Sequence, residues 1–430
     1  MSDLTQYDTW IKEGGPAALV IQEFLVPVEG ADGVFFPATY AAQQGADRDK
    51  DKFQGGYNID VFPDGTNVCI IDSVGSQANR LEPLFALPDF SSLVPQIVVT
   101  FPEKGLKINL LIANHRAADA IIRCSPFEQS LRFAFQEILR GNSEPLAKIA
   151  PTSLVFGVWD SRDTSAKLPR LLSSTIRAFN FKGHTRSANF LTQMTVDLAK
   201  LDILPGAESK DGFANALASK APGGIQLMSN GSIRRDVTLG LAALRRLSVI
   251  GPDGTTDINR TMALRRYILG LSLIALTAPQ DCYLRQGCNL VPDVEKPRQF
   301  KIVNCDGSRP DTSVVHDDAK QFAILAAKEF GVGSNREERF DPLLAEKAAE
   351  GKPDKLKGEV VALDATAMNF KLKPAKGSES EVATNSLTKF LKGKEESNFE
   401  TVVTIGAKVD VAIMAGVAVN VTGKNSQRNP

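Results

Sequence analysis

The chain has 430 residues, 43% of them hydrophobic and 23% charged, with 33 glycines and 23 prolines. That composition excludes collagen-like, disulfide-scaffold and intrinsically disordered proteins, and at about 150 residues per domain the length allows about three domains or one core with large insertions. The formal charge is zero, but the balance hides a segregation: Arg80 to Arg285 carries 17 arginines and 8 lysines against 17 acidic residues, a net +8, and the remainder carries −8. Arginine suits planar phosphate and base contacts while lysine is commoner on solvated surfaces, although a middle segment that only favours arginine in ion pairs gives the same count.

Residues 1–66 read as an irregular, Gly- and Asp-rich extension, most loop-like over AAQQGADRDKDKFQGG. The β-branched run Val68–Val74 follows the turn signal Pro63-Asp64-Gly65 and predicts a buried strand. The following GSQANRLEP predicts a helix with Ser76 as N-cap, placing Gln77, Asn79 and Arg80 where backbone N–H groups and side chains meet a phosphate together. Two short strands are expected over Gln96–Phe101 and Lys107–Ile112, then helix from His115 to Leu139, broken by Pro126. Thr152–Trp159 reads as the strongest strand, delivering the loop Asp160-Ser161-Arg162, and Ile176–Phe181 as another. Helices are expected over Asp236–Ile250 and Asn259–Leu276, each with a double arginine that cannot share one face. A further helix falls near Asp317–Phe330, a solvated helix-and-loop region over Arg336–Glu396, and a long hairpin over Glu400–Val421. Strands and helices interleave without the beat of a doubly wound sheet, so the fold class expected is α+β. The domain division expected is 1–66, 67–330 and 331–430.

Five cysteines without paired metal-ligand spacing argue for a reducing compartment rather than a disulfide framework. The N-terminus has neither the basic nor the apolar region of a secretory signal, and the apolar run Tyr267–Ala278 is too short to span a bilayer, so a cytoplasmic protein without a membrane role is expected. The three histidines, His115, His184 and His316, have no zinc-protease spacing, and the chain has neither a phosphate loop nor a nucleophile elbow. No metal or other cofactor is expected. His115, Arg116 and Asp119 form either an intrahelical ion pair or an anion site oriented by the carboxylate. In PTSLVFGVWDSRDTSAKLPR, residues Trp159, Ser161, Arg162, Lys167 and Arg170 combine a stacking ring, a hydroxyl and cations, a composition suited to single-stranded nucleic acid. Asp160 is open to two readings, a metal-binding carboxylate or a residue that pairs with Arg162 or caps the turn.

The blocks NRLEP (Asn79 to Pro83), HRAADA (His115 to Ala120), APTSLVFGVWDSRDTSAKLPR (Ala150 to Arg170) and TRSA (Thr185 to Ala188) resemble the backbone subunit of the type I-G (formerly I-U) CRISPR Cascade complex. That subunit belongs to the repeat-associated mysterious protein superfamily. The resemblance implies a modified RNA-recognition-motif (ferredoxin-like) palm with inserted thumb- and finger-like elements, the C-terminal hairpin returning to the palm. It implies a non-catalytic protein whose copies stack head to tail along a CRISPR guide RNA and support its pairing with target DNA. Further partners implied are other Cascade subunits and a recruited helicase-nuclease. The guide's phosphates would be held by Arg80, Arg116, Arg162, Lys167, Arg170 and Arg186, with hydrogen bonds from Ser76, Gln77 and Asn79 and lesser contacts from Arg234 and Arg235. Two alternatives stay open: a guide-processing endoribonuclease on the same fold, using His115, His184 or Asp160, and a scaffold whose arginines bridge acidic protein surfaces.

Overall fold

The segment Ala18–Pro27 alternates half-buried and buried along its whole length, the period-two signature of a strand with one face in a core. This strand, β1, is central to a sheet, so the Gly- and Asp-rich average over residues 1–66 conceals an ordered, β-branched segment. The computed structural model describes residues 3–423 apart from 45, 47, 48, 50, 162, 191–215, 346–353, 365–367, 375–377, 385–387, 394, 415 and 416. Two units separate: Met1–Arg123 with Phe127–Glu338, and Cys124–Pro126 with Arg339–Pro430.

In the first unit, β1 is joined by β2 (Val34–Phe35), β3 (Ile59–Val61), β4 (Asn67–Asp72), β5 (Leu172–Phe190), β6 (Ala216–Gly240), β7 (Tyr283–Arg285), β8 (Cys288–Pro292) and β9 (Gln299–Val303). Their order is β7-β8-β1-β6-β5-β4-β3, with β9 also pairing β1 and β2 pairing β6. The pairings are antiparallel. Register fixes the faces: Leu19, Ile21, Glu23 and Leu25 of β1 stand opposite Leu239, Val237, Arg235 and Ile233 of β6, and all eight are buried. Cys69, Ile71, Ile176, Ala178, Phe181, Leu284 and Leu290 extend this core. Helix α1 (Val74–Leu81) packs against β5. Beyond it come α2 (Pro151–Phe156) and α3 (Ile258–Thr277), which Asp257 caps by accepting the Arg260 N–H at 3.0 Å. Helix α4 (His316–Phe330) lies on α3. Their contact is close because Gly270 faces Ala323, where a Cβ would come within 2.8 Å of the Ala323 Cα. Tyr267, fully buried in α3, stacks on Phe330 at 4.8 Å and donates its hydroxyl to the Leu93 carbonyl at 2.7 Å.

Three element expectations are corrected. Of Thr152–Trp159 only Val158–Trp159 is strand: residues 151–156 form α2, started by Pro151 and stopped at Gly157, whose φ is +77°. A short buried helix and a buried strand share one apolar run, so periodicity does not separate them, whereas Pro at the start and Gly past the end do. The expected helix over Asp236–Ile250 is the end of β6 followed by the single turn Leu241–Leu244, since Arg235, Val237 and Leu239 are buried at every second position. Much of the region 336–396 is strand.

The second unit is itself a seven-stranded sheet. Asp354–Asp364 lies between Asn369–Pro374 and Lys408–Met414, and Lys408–Met414 pairs in turn with Val417–Gly423, which pairs in parallel with Lys389–Lys392. Val360, Leu372, Val409, Val411 and Val421 fill its core, with Phe399 set edge-on to Phe390 at 5.6 Å. The C-terminal hairpin is therefore present, with its ladder partners inside this unit. Among the described residues no helix is long and apolar enough to cross a membrane.

Candidate nucleic-acid interface

Gly157 turns the chain out of α2 into a two-stranded ribbon, Val158–Trp159 against Lys167–Leu168. Trp159 and Lys167 are register partners, which brings the Lys167 ammonium to 5.2 Å from the centre of the indole. Trp159 is 59% exposed, leaving a flat apolar surface with a cation beside it. Asp160, which is 1% exposed, organises the loop between the two strands. It accepts hydrogen bonds from the Thr164 N–H at 3.0 Å and hydroxyl at 2.7 Å, and pairs with Arg123. Asp163 pairs with Arg123 at 2.8 Å and Arg132 at 3.0 Å. The turn-cap reading of Asp160 is the one its contacts support, and its ionic partner is Arg123. Ser161 is exposed, while Arg162 lies outside the described residues.

Arg116 ties this ribbon to α1. It is 5% exposed and sits in a left-handed turn at φ +51°. Its Nε lies 2.6 Å from a Glu82 carboxylate oxygen, and its remaining nitrogens donate to the Gly157 carbonyl at 3.4 Å and to Asn79 Oδ1 at 3.5 Å. The guanidinium also sits 5.5 Å from the Phe156 ring centre. Burial pushes the Glu82 carboxyl up to about 7, with Arg116 pulling the other way. The expected Arg116–Asp119 pair is thus replaced by Arg116–Glu82. Asp119 instead accepts the His115 N–H at 3.2 Å and caps the next helical turn through the Ile121 N–H at 2.9 Å. His115 is exposed.

Arg170 completes the group. Its side chain passes over Gly157, where a Cβ would meet Arg170 Cγ at 2.9 Å and Arg170 N at 3.0 Å. Burial, then the charge of Arg116, lowers its guanidinium pKa, and it makes no ion pair with any described residue. Asn79, Arg116 and Arg170 therefore meet around Gly157, two residues from Trp159. Gly157→Ala is expected to displace Arg170 and to destabilise the fold by more than ~1 kcal/mol, since alanine also resists a positive φ. Chemical denaturation together with an RNA-binding isotherm measures both effects.

Other expected contacts fall elsewhere. Ser73, not Ser76, caps α1, accepting the Ser76 N–H at 3.3 Å. The helix consequently starts earlier, and Arg80 falls in its last turn. Asp72, fully buried, is a hub: it accepts from Gln77 at 2.7 Å, Arg80 at 3.2 Å and Arg285 at 2.6 Å. Gln77 is thereby withdrawn as a phosphate contact, being 1% exposed and bound also to the Ser174 hydroxyl at 2.7 Å. The Arg80 side chain remains 34% exposed, and the hub sets two guanidiniums against one carboxylate, which leaves a positive excess. Arg234 and Arg235 point to opposite faces of β6. Arg235, 2% exposed and 2.8 Å from Glu23, is corrected from a surface contact to a buried ion pair. Arg186 lies further out on β5, exposed, with its guanidinium 4.8 Å from the Phe36 ring centre. His184, also on β5, faces Gln226 at 3.3 Å. Arg80 and Arg285 thus meet at Asp72, Arg116 and Arg170 at Gly157, and Arg186 lies over Phe36. Among the described residues no three His, Cys, Asp or Glu side chains converge as a metal site.

Apart from Arg234, sequence reasoning missed the sheet face opposite the buried Leu19, Ile21 and Leu25. Arg234 lies 5.0 Å over Phe179 there, Lys296 lies 5.5 Å over Phe24, and Arg177 reaches Asp236 at 3.9 Å. The alternation of IQEF and IRAF was the available signal, because every second residue of each strand points to that face.

Residues 19–182 match the family described as CRISPR-associated protein GSU0053 (Cas_GSU0053). The matched span includes α1, the Arg116 turn and the Trp159 ribbon, and the match indicates a CRISPR-associated protein. No curated protein matches the chain.

Proposed function

We propose that this CRISPR-associated protein is a non-catalytic, guide-RNA-binding backbone subunit of a type I-G Cascade complex. The observation that carries the reading is the group Asn79, Arg170, Trp159 and Lys167, gathered inside the matched span around Arg116, which is itself corrected from a phosphate contact to a buried ion pair that positions them. The group offers hydrogen-bond donors and acceptors, cations at Arg170 and Lys167 that have no acidic partner among the described residues, and an exposed ring. Such a surface holds a sugar–phosphate strand and stacks a base without reading sequence. Sequence recognition then falls to pairing between guide and target DNA.

In this reading the nine-stranded sheet and its helices serve as the RNA-recognition-motif-like palm, and the long β5–β6 hairpin as the thumb-like projection. Copies associate head to tail, a heterologous contact that does not close into a ring. Other Cascade subunits and the recruited helicase-nuclease join the assembly. Asp160 acts as a loop organiser, its oxygens already committed to Thr164 and Arg123.

Co-expression with a guide precursor is the test. The expected result is protein that carries RNA, seen as a raised 260 nm absorbance, and forms periodic assemblies under the electron microscope without shortening the guide. Protein free of RNA under these conditions refutes strand binding. Guide cleavage abolished by His184→Ala moves the assignment to an endoribonuclease.

A further inference from the structure

A cavity of about 350 Å³ opens between the end of α3 and the buried face of the sheet. Leu25, Ile176, Leu284 and Leu290 wall it with buried apolar side chains, and an engineered apolar cavity of ~150 Å³ already admits a benzene ring. Its polar groups are mostly committed: Glu23 and Arg235 pair at 2.8 Å, and Asp281 accepts the Tyr283 N–H at 2.9 Å. Arg298 lines the same cavity, is exposed, and has no acidic partner among the described residues. The cavity is therefore an apolar socket with one unanswered positive charge.

The hairpin joining β3 to β4 carries the matching features. The Phe62 N–H donates to the Thr66 carbonyl at 2.8 Å and the Gly65 N–H to the Phe62 carbonyl at 2.9 Å, with Gly65 at φ +83°. This tight tip holds apolar side chains in water, Val61 69% and Phe62 49% exposed. Asp64 Oδ1 accepts both the N–H and the hydroxyl of Thr66, at 3.0 and 2.6 Å, which fixes the carboxylate and leaves Oδ2 without a partner among the described residues. Strand β4 runs from Asn67, next to the tip, to Asp72, whose register partner Ile176 lines the cavity. At about 3.3 Å per residue the strand sets the tip about 17 Å from that wall. Neither Val61 nor Phe62 lines the cavity of its own chain, so a second copy is what brings tip and socket together.

We propose that the 62–66 tip of one copy inserts Phe62 into this cavity of the next, with Asp64 meeting Arg298. An aromatic anchor in a desolvated pocket is the composition of an interface hot spot, and the opposite charges beside it fix the orientation of docking. Tip and socket are different surfaces, so each copy offers one of each and the contact propagates instead of closing. The proposal rests on the head-to-tail association read above, to which it gives two surfaces, and not on guide binding.

Sedimentation of full-length protein, alone and with guide RNA, reads the contact. Phe62→Ala should weaken copy–copy association about 30-fold. Asp64→Arg and Arg298→Asp should each weaken it about tenfold, and the two reversals together should recover most of that loss. All variants are checked for an intact thermal transition. Cys282, exposed and lining the cavity, gives a second readout, with the exposed Cys305 outside the cavity as control. Iodoacetamide should label Cys282 several-fold more slowly in assembled wild-type protein than in Phe62→Ala at the same concentration, and Cys305 equally in both.

Association that ignores Phe62→Ala, or charge reversals that do not compensate, overturns the contact and leaves stacking to another surface. Cys282 protection that persists in dispersed Phe62→Ala protein means a different occupant and overturns it as well. Protein that stays monomeric with and without bound guide overturns the stacking reading and the contact with it. Protein that assembles through the tip yet carries no RNA supports the contact and refutes strand binding.

Discussion

Lys167→Ala/Arg170→Ala should weaken single-stranded RNA binding roughly 20-fold at 0.1 M salt and flatten the log–log salt dependence by about 1.4, or about 0.7 per lost phosphate contact. The expectation follows from charge availability. Lys167 lies over the exposed Trp159 ring, and Arg170 has no described acidic partner, so both are free to neutralise phosphates. Arg140, 71% exposed but paired with Glu137 at 2.8 Å, is the control, and Arg140→Ala should leave the slope unchanged. Trp159→Ala separates the remaining contribution, since losing a stacked base weakens binding by about 1–3 kcal/mol while leaving the slope alone. Filter-binding titrations at several salt concentrations distinguish these outcomes. An unaltered slope in the double variant would remove the ribbon from the interface.

Arg116→Ala acts on the fold before it acts on any ligand. It strands Glu82, which is 1% exposed, and removing one partner of a buried pair costs about 3–5 kcal/mol. The penalty should depend on pH. Burial raises the folded-state pKa of Glu82 above its ordinary 4.5 even with Arg116 present, to about 7. Without the guanidinium it rises further. A folded carboxyl that holds its proton more tightly than the unfolded chain contributes stability at low pH that is lost as pH climbs from about 4.5 towards the folded pKa. Urea denaturation should therefore find the variant closer to wild type at pH 5.5 than at pH 8. Adding Glu82→Gln should recover much of the loss at pH 8, because the stranded charge is gone. An equal penalty at both pH values would show that Glu82 does not depend on Arg116 for its charge.

The local parts of this structure were legible and the long-range parts were not. The α3 helix is visible from its Asp257 cap and its apolar length, and β4 from its β-branched run after a turn. The closeness of Trp159, Lys167 and Arg170 could be read because a short ribbon brings them together within a dozen residues. The Arg116–Glu82 and Arg235–Glu23 pairs join residues far apart in sequence; nothing in local periodicity selects an arginine's partner. Arg234 and Arg235 show the same limit: adjacent arginines on a helix diverge only partly, but on a strand they are sent to opposite faces. With the strand over 233–240 unread, Arg235 stays among the expected surface contacts although the strand buries it. The burial of Gln77 is not legible locally because the carboxylate that captures it, Asp72, lies at the end of the preceding strand.

The placement of β1 has a consequence for biosynthesis. Residues 18–27 leave the ribosome well before their partners, since they pair with 233–240, 290–292 and 299–303. At about 5–20 residues per second of translation, this apolar segment waits on the order of 10–40 seconds for its first ladder partner. Its exposed edges are open to aggregation throughout that interval. The nascent chain should accordingly be a chaperone client until β6 emerges, and ribosome-bound chains stalled shortly before residue 216 should be far more protease-sensitive within residues 18–27 than chains stalled well beyond 303.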